Sequence, residues 1–268
     1  MAYVGEVNWH ELAAQTASAW QSPGTYKGLL VDIDLTTPQG RWELLVLTML
    51  LAARVGEVVA EKTFMSLQAA GLLLPERLAA ATTADRQEVW DILSAEYRAP
   101  IKKKKKEEAL YSNASRLMSM YNGDMQNIYE DGSFSDPAHM AEASGAVLAK
   151  LRAFDQIDMR AKWYCRCMGE AGLWLGLSAE VQLFIDAYVR LVLRRLGLSQ
   201  ACNEWPKARQ EMVAVIERFF AGDAASLYKL GRFGCLTADA EFCRSYCQLE
   251  PYCLFRRKSG GGACVGEQ

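Results

Sequence analysis

Leu230-Gly231-Arg232-Phe233-Gly234-Cys235, followed by Cys243, Cys247 and Cys253, is the stretch on which the reading of this chain turns. Four of the eight cysteines fall here within nineteen residues, spaced Cys-x7-Cys-x3-Cys-x5-Cys. The opening MAYVGEVNWHELAAQ has neither the basic start nor the apolar run of a signal peptide, so a reducing cytoplasm is the expected setting. In that setting four crowded thiols suit metal or cluster ligation better than disulfide staples. They can surround a [4Fe–4S] cluster or one tetrahedral zinc. Zinc knuckles usually pair their cysteines closely, and no Cys-x2-Cys pair is present here. Four unligated thiols are the remaining alternative.

Working outward from the cysteines, the pattern predicts an all-α protein. With 268 residues, 51% of them hydrophobic, the chain can build a core without staples. Apolar residues recur at helical spacing over Trp42–Ser66, Thr83–Tyr97 (with Thr83 as N-cap), Lys102–Tyr121, Ser178–Leu196 and Lys207–Phe220. Asn122-Gly123 and Gly197 read as helix stops, and Pro206 suits a first helical turn. The longest apolar run, Leu44–Ala53, is too short to cross a bilayer, so no membrane partner is expected. A net charge of −2 leaves any nucleic-acid surface to a local patch. The densest positive patch is Lys102–Lys106, which suits phosphate contact and a solvated helix start equally.

Two motifs bring a family into view. The Gly231-Arg232…Cys235 stretch with its three further cysteines resembles the C-terminal iron–sulfur loop of the endonuclease III-like helix-hairpin-helix DNA glycosylases. The first two intervals are each one residue longer than in that family. The run Phe184-Ile185-Asp186-Ala187-Tyr188-Val189-Arg190 to Arg194-Arg195-Leu196-Gly197-Leu198 is similar to the family's V-D-T-H-v-x-R-v-x-x-R-l-g-l segment. Asp186 falls on its catalytic aspartate. Base excision passes through a sugar with oxocarbenium character, which a nearby carboxylate stabilises. An Asp here also caps the helix that follows, and the two roles are compatible.

The family's hairpin, L-P-G-V/I-G-x-K-T-A, finds its best match in Phe154-Asp155-Gln156-Ile157-Asp158-Met159-Arg160-Ala161-Lys162. Ile157 keeps the central apolar residue. Gln156 and Asp158 replace both glycines, and Asp155 replaces the proline. Arg160 occupies the place of the lysine that attacks the sugar in bifunctional members, and arginine stays protonated. Lys162 stands two residues on, either as a displaced amine nucleophile or as a solvated helix lysine. Weak or absent lyase activity is therefore expected. The aromatics that follow, Trp163, Tyr164 and Trp174, beside Cys165 and Cys167, suit either a core or a base pocket.

Arg41-Trp42-Glu43-Leu44-Leu45 to Val55 resembles the family's opening helix. Its gap-filling glutamine falls on Ala53, and the neighbouring Arg54 has the length to reach into a duplex. The resemblance thus implies DNA contacts from Gln156, Ile157, Asp158, Arg160, Arg54 and Tyr188. Its implied catalytic residues are Asp186 and Lys162, and its [4Fe–4S] ligands are Cys235, Cys243, Cys247 and Cys253. It implies a monomer acting on double-stranded DNA with a lesion or mismatch, on the nucleoid. Two helical lobes follow, residues 39–168 and residues 1–38 with 169–258, with DNA across the cleft between them. The Gly-rich end, 259–268, reads as a disordered tail.

Overall fold

A computed structural model describes residues 7–19, 33–51, 55, 57–129, 137–183, 185, 187–199, 205–235 and 242–254. The described residues are helical and contain no strand. In order the helices are α1 (Trp9–Ala19), α2 (Pro38–Leu50), α3 (Glu57–Ala69), α4 (Pro75–Ala79), α5 (Thr83–Glu96) and α6 (Pro100–Tyr121). They continue with α7 (Pro137–Arg152), α8 (Ala161–Glu170), α9 (Ala179–Gln182), α10 (Ala187–Arg195), α11 (Trp205–Phe220) and α12 (Ala224–Lys229). The chain divides into two compact units, residues 26–184 and residues 1–25 with 185–268. Where the sequence set boundaries at 39 and 168, contacts keep α9 with α7 and α8 in the larger unit. The glycine-rich tail and Arg54 lie outside the described residues.

The larger unit is built around α2, whose residues from Arg41 to Leu50 are buried except Glu43. A helix that is apolar nearly all round belongs at the centre of a core, and α3, α6 and α8 pack on it. Thr37 caps it by accepting a hydrogen bond from the Gly40 N–H at 3.0 Å, with Pro38 in the first turn. One helix was expected over Trp42–Ser66, and the structure instead has two. α2 ends at Leu50 and α3 starts at Glu57, immediately after Gly56.

Two further boundaries shift. The cap of α5 is Thr82 rather than Thr83, in a capping box with Asp85, while Arg77 also holds Asp85. Hydrogen bonds from the Thr82 side chain and backbone, then from Arg77, hold the Asp85 carboxyl down at about 2. α6 starts at Pro100 rather than at Lys102, because a first-turn proline loses no helical hydrogen bond. The stop at Asn122 is as read, with φ of 49°.

In the smaller unit α1 packs on α11 and α12, and α12 on α10. Trp9 is the hub, with its ring 5.1 Å from Tyr252 and 6.5 Å from Phe220. The apolar stretch Ser178–Leu196 is interrupted rather than continuous, since α9 ends at Gln182 and α10 begins at Ala187.

Candidate functional site

In the larger unit, α7 and α8 are joined by a tight turn over residues 153–160. Phe154 and Ile157 are buried at 1% exposure each and pin the turn to the core. Between and beyond them Asp155 and Asp158 are exposed and Gln156 is half-buried. Gln156 has φ of 61° and Asp158 φ of 34°. These are the two positions at which the family pattern carries glycine. Left-handed backbone costs an L-residue about 1–2 kcal/mol, so two such residues in one short turn are strained.

The strain is held by α6. Its buried Asn113 accepts from the Asp155 N–H at 2.7 Å and donates back to the Asp155 carbonyl at 3.0 Å. Ser112 adds an Oγ–Asp155 Oδ2 bond of 2.5 Å. A buried amide that satisfies both backbone groups of one residue fixes that residue's conformation. Sequence reading missed Asn113, although it stands two turns after Lys106 on the buried face of α6.

Relieving the strain should therefore raise stability. Gln156→Gly and Asp158→Gly are each expected to gain up to about 1 kcal/mol, less the entropy glycine adds to the unfolded chain. Urea unfolding of the single variants and the double variant checks this, and a loss at both positions would contradict it.

The lysines near the turn are committed elsewhere. Lys162 is 2% exposed, on α8, and its Nζ donates to the Glu180 carbonyl in α9. Arg160 is half-buried at the end of the turn. Lys106 is buried too, its Nζ donating to Met49 O, one of the carbonyls left over at the C-terminal end of α2. Burial, with the positive fields of Arg160 and Lys102, brings this amine down to about 7. Trp163, Tyr164, Cys165, Cys167 and Trp174 are all core residues. Burial pushes both of those thiols up to about 12, which leaves them protonated and inert.

In the smaller unit, two π-helical turns, Leu230–Cys235 and Phe242–Tyr246, carry the first cysteines of the cluster segment. None of the four thiols is in a disulfide. Cys243 is buried, while Cys235, Cys247 and Cys253 are partly exposed. Burial raises Cys235 to about 12, with Arg195 opposing it and Cys247, Cys253 and Cys243 adding to it. Burial raises Cys247 to about 11. Cys235 thus feels the charge of the other three thiols. In type and number the four fit a four-thiolate group, which would replace their protons. Among the described residues no three of His, Cys, Asp and Glu are drawn together as for a single ion.

The loop is anchored around these thiols. Arg195 donates to the Cys235 carbonyl at 2.7 Å, and the Gln248 N–H donates to Thr16 Oγ1 of α1 at 3.0 Å. Gly231 lies against the Tyr188 backbone of α10, where a Cβ would stand 2.3 Å from the carbonyl oxygen. Tyr188 is half-buried, edge-on to Tyr228 with ring centroids 5.7 Å apart. Asp186, two residues earlier, lies outside the described residues.

The structure thus gathers Gln156, Ile157, Asp158, Arg160 and Lys162 around one turn of the larger unit. It gathers Tyr188 and the four cysteines in the smaller one. Compared with protein-family models, with curated proteins and with solved structures, the chain matches none.

Proposed function

We propose that this chain is a divergent helix-hairpin-helix DNA glycosylase of the endonuclease III-like kind, hydrolysing the N-glycosidic bond of an extruded damaged or mismatched base. The observation that carries the reading is the turn between α7 and α8. Its two positive-φ residues, Gln156 and Asp158, stand at the positions where the family hairpin needs glycine. A sequence with no need for that backbone would not keep two strained residues there, held by a buried Asn113.

Asp186 is the carboxylate proposed to stabilise the sugar cation and orient a water. Cys235, Cys243, Cys247 and Cys253 are the residues that would hold a [4Fe–4S] cluster. No amine nucleophile accompanies Asp186 in this proposal. Lys162 is committed to the Glu180 carbonyl inside the core, and Arg160 cannot be deprotonated. The activity is therefore monofunctional.

A second reading rests on the chemistry of the turn itself. Exposed Asp155 and Asp158 repel a phosphate where the family hairpin attracts one, which suits a DNA-binding relative with reduced catalysis. A panel of lesion-bearing duplexes, analysed with and without alkali, separates the two. The glycosylase reading expects base release on at least one duplex, lost by a factor of at least about 100 in Asp186→Asn, the order that one positioned acid–base group contributes. Binding without release on every duplex would favour the second reading. A colourless, iron-free protein would remove the cluster.

A further inference from the structure

We infer that the exposed stripe of α6, from the lysines of its first turns to the turn it grips at Asp155, is a binding surface for the phosphodiester backbone of a duplex. This rests on the DNA reading and adds to it a site that the hairpin does not supply. The lysine run is sorted by the helix into three kinds of residue. Lys106 is buried against Met49 O, and Lys103 is folded back on Trp90 (4.8 Å to the ring centroid) and Ser94 (3.1 Å). Lys102, Lys104 and Lys105 project to the surface, beside exposed Arg98.

Lys105 and Ser112 are seven residues apart, two turns on the same face, about 10 Å along the axis. Ser112 is the residue that holds the Asp155 carboxylate. The cations and the turn are therefore the two ends of one exposed stripe. Glu108 lies between them, 3.8 Å from Lys104, and both side chains are more than 60% exposed, so solvent weakens that pair. The first turn of α6 has no acidic residue and no side-chain cap. Cations at this end oppose the helix dipole, so the cluster is a burden to the free protein and an asset only against an anion.

Charge complementarity selects a polyanion. A lipid surface would also need an apolar stripe beside the cations. Here Ile101 is the one exposed large hydrophobic residue among them. The acidic turn at the other end has lost phosphate attraction, and the lysines restore it in the same unit.

The test compares the full chain with the triple variant Lys102→Gln/Lys104→Gln/Lys105→Gln, and with Lys62→Gln at an exposed position of α3 as control. Binding to a random-sequence duplex is measured across salt concentrations. Each phosphate contact contributes about 0.9 to the slope of log K against log salt. The triple variant is expected to lower that slope by up to about 2.7 and to melt no lower than the wild type, while Lys62→Gln leaves both unchanged. If the wild type binds duplex and the triple variant keeps its slope, this surface is wrong and the DNA reading stands. If the wild type binds no duplex, both fall. Lysine-dependent binding to phosphatidylserine vesicles, with none to duplex, would overturn the inference in favour of a membrane.

Discussion

Gly231→Ala is expected to lower the melting temperature of the smaller unit by roughly 10 °C, reflecting a loss of about 3 kcal/mol. A Cβ built at Gly231 stands 2.3 Å from the Tyr188 carbonyl oxygen, 2.6 Å from its carbon and 2.9 Å from the Tyr188 Cβ. The obstructing atoms are mostly backbone of α10, so no side chain can swing aside. Overpacking usually costs about 1–3 kcal/mol, and a clash with fixed backbone belongs at the upper end or above. Differential scanning calorimetry measures the effect. Gly145→Ala is the matched control, because a Cβ there meets nothing within 4 Å. It lies inside α7, where alanine should stabilise by about 0.5–1 kcal/mol. A Gly231→Ala protein that melts with the wild type would show that the cysteine loop does not lie on α10. The same approach seats Cys235 against α10, where Arg195 donates to its carbonyl.

Gly231 also shows what could be read from the sequence. Its motif was visible, but the reason for the glycine, the backbone of Tyr188 some forty residues back in the chain, was not. The all-helical class followed from periodicity, since apolar residues at intervals of three and four leave strands no alternating face. The break between α2 and α3 did not follow, because the apolar period runs on through it. Lys106 marks a different gap. Five consecutive lysines look uniformly solvated, yet position 106 shares a face with Ala109, Leu110, Asn113 and Leu117. The same spacing argument that found the helix would have buried that lysine, had charge not been given precedence. At the turn, the loss of both glycines looked like loss of the motif. The backbone nonetheless adopts positive φ at both places, with Phe154 and Ile157 seated in the core and Asn113 gripping Asp155 from outside the local sequence.

Arg41→Ala is expected to destabilise the larger unit by about 2–3 kcal/mol, the cost of removing the buried partner of a partly buried ion pair. Arg41 is 6% exposed, and its guanidinium makes two parallel 2.8 Å bonds to the Asp124 carboxylate. It also donates at 2.9 Å to the carbonyls of Leu35 and Thr36, fixing the approach to α2. Asp124 in turn caps the 3-10 turn Met125–Ile128 by accepting from the Gln126 N–H at 2.8 Å. Burial alone would raise the Asp124 carboxyl, but its hydrogen bonds from Arg41 and Gln126 and the guanidinium charge outweigh it and hold it below the usual carboxylate range. A carboxylate with a depressed folded-state pKa stabilises fully above its unfolded value near 4, and that contribution is lost as pH falls through the folded value. Chemical denaturation at a series of pH values should therefore show wild-type stability falling below about pH 4. Asp124→Asn should be less stable at pH 7 and flatter over that acid range. Arg41→Lys keeps the charge but cannot form the two-pronged bond, so it should fall between wild type and Arg41→Ala. Equal stability of Arg41→Lys and wild type would mean that charge alone, and not the fork of hydrogen bonds, holds the entry to the central helix.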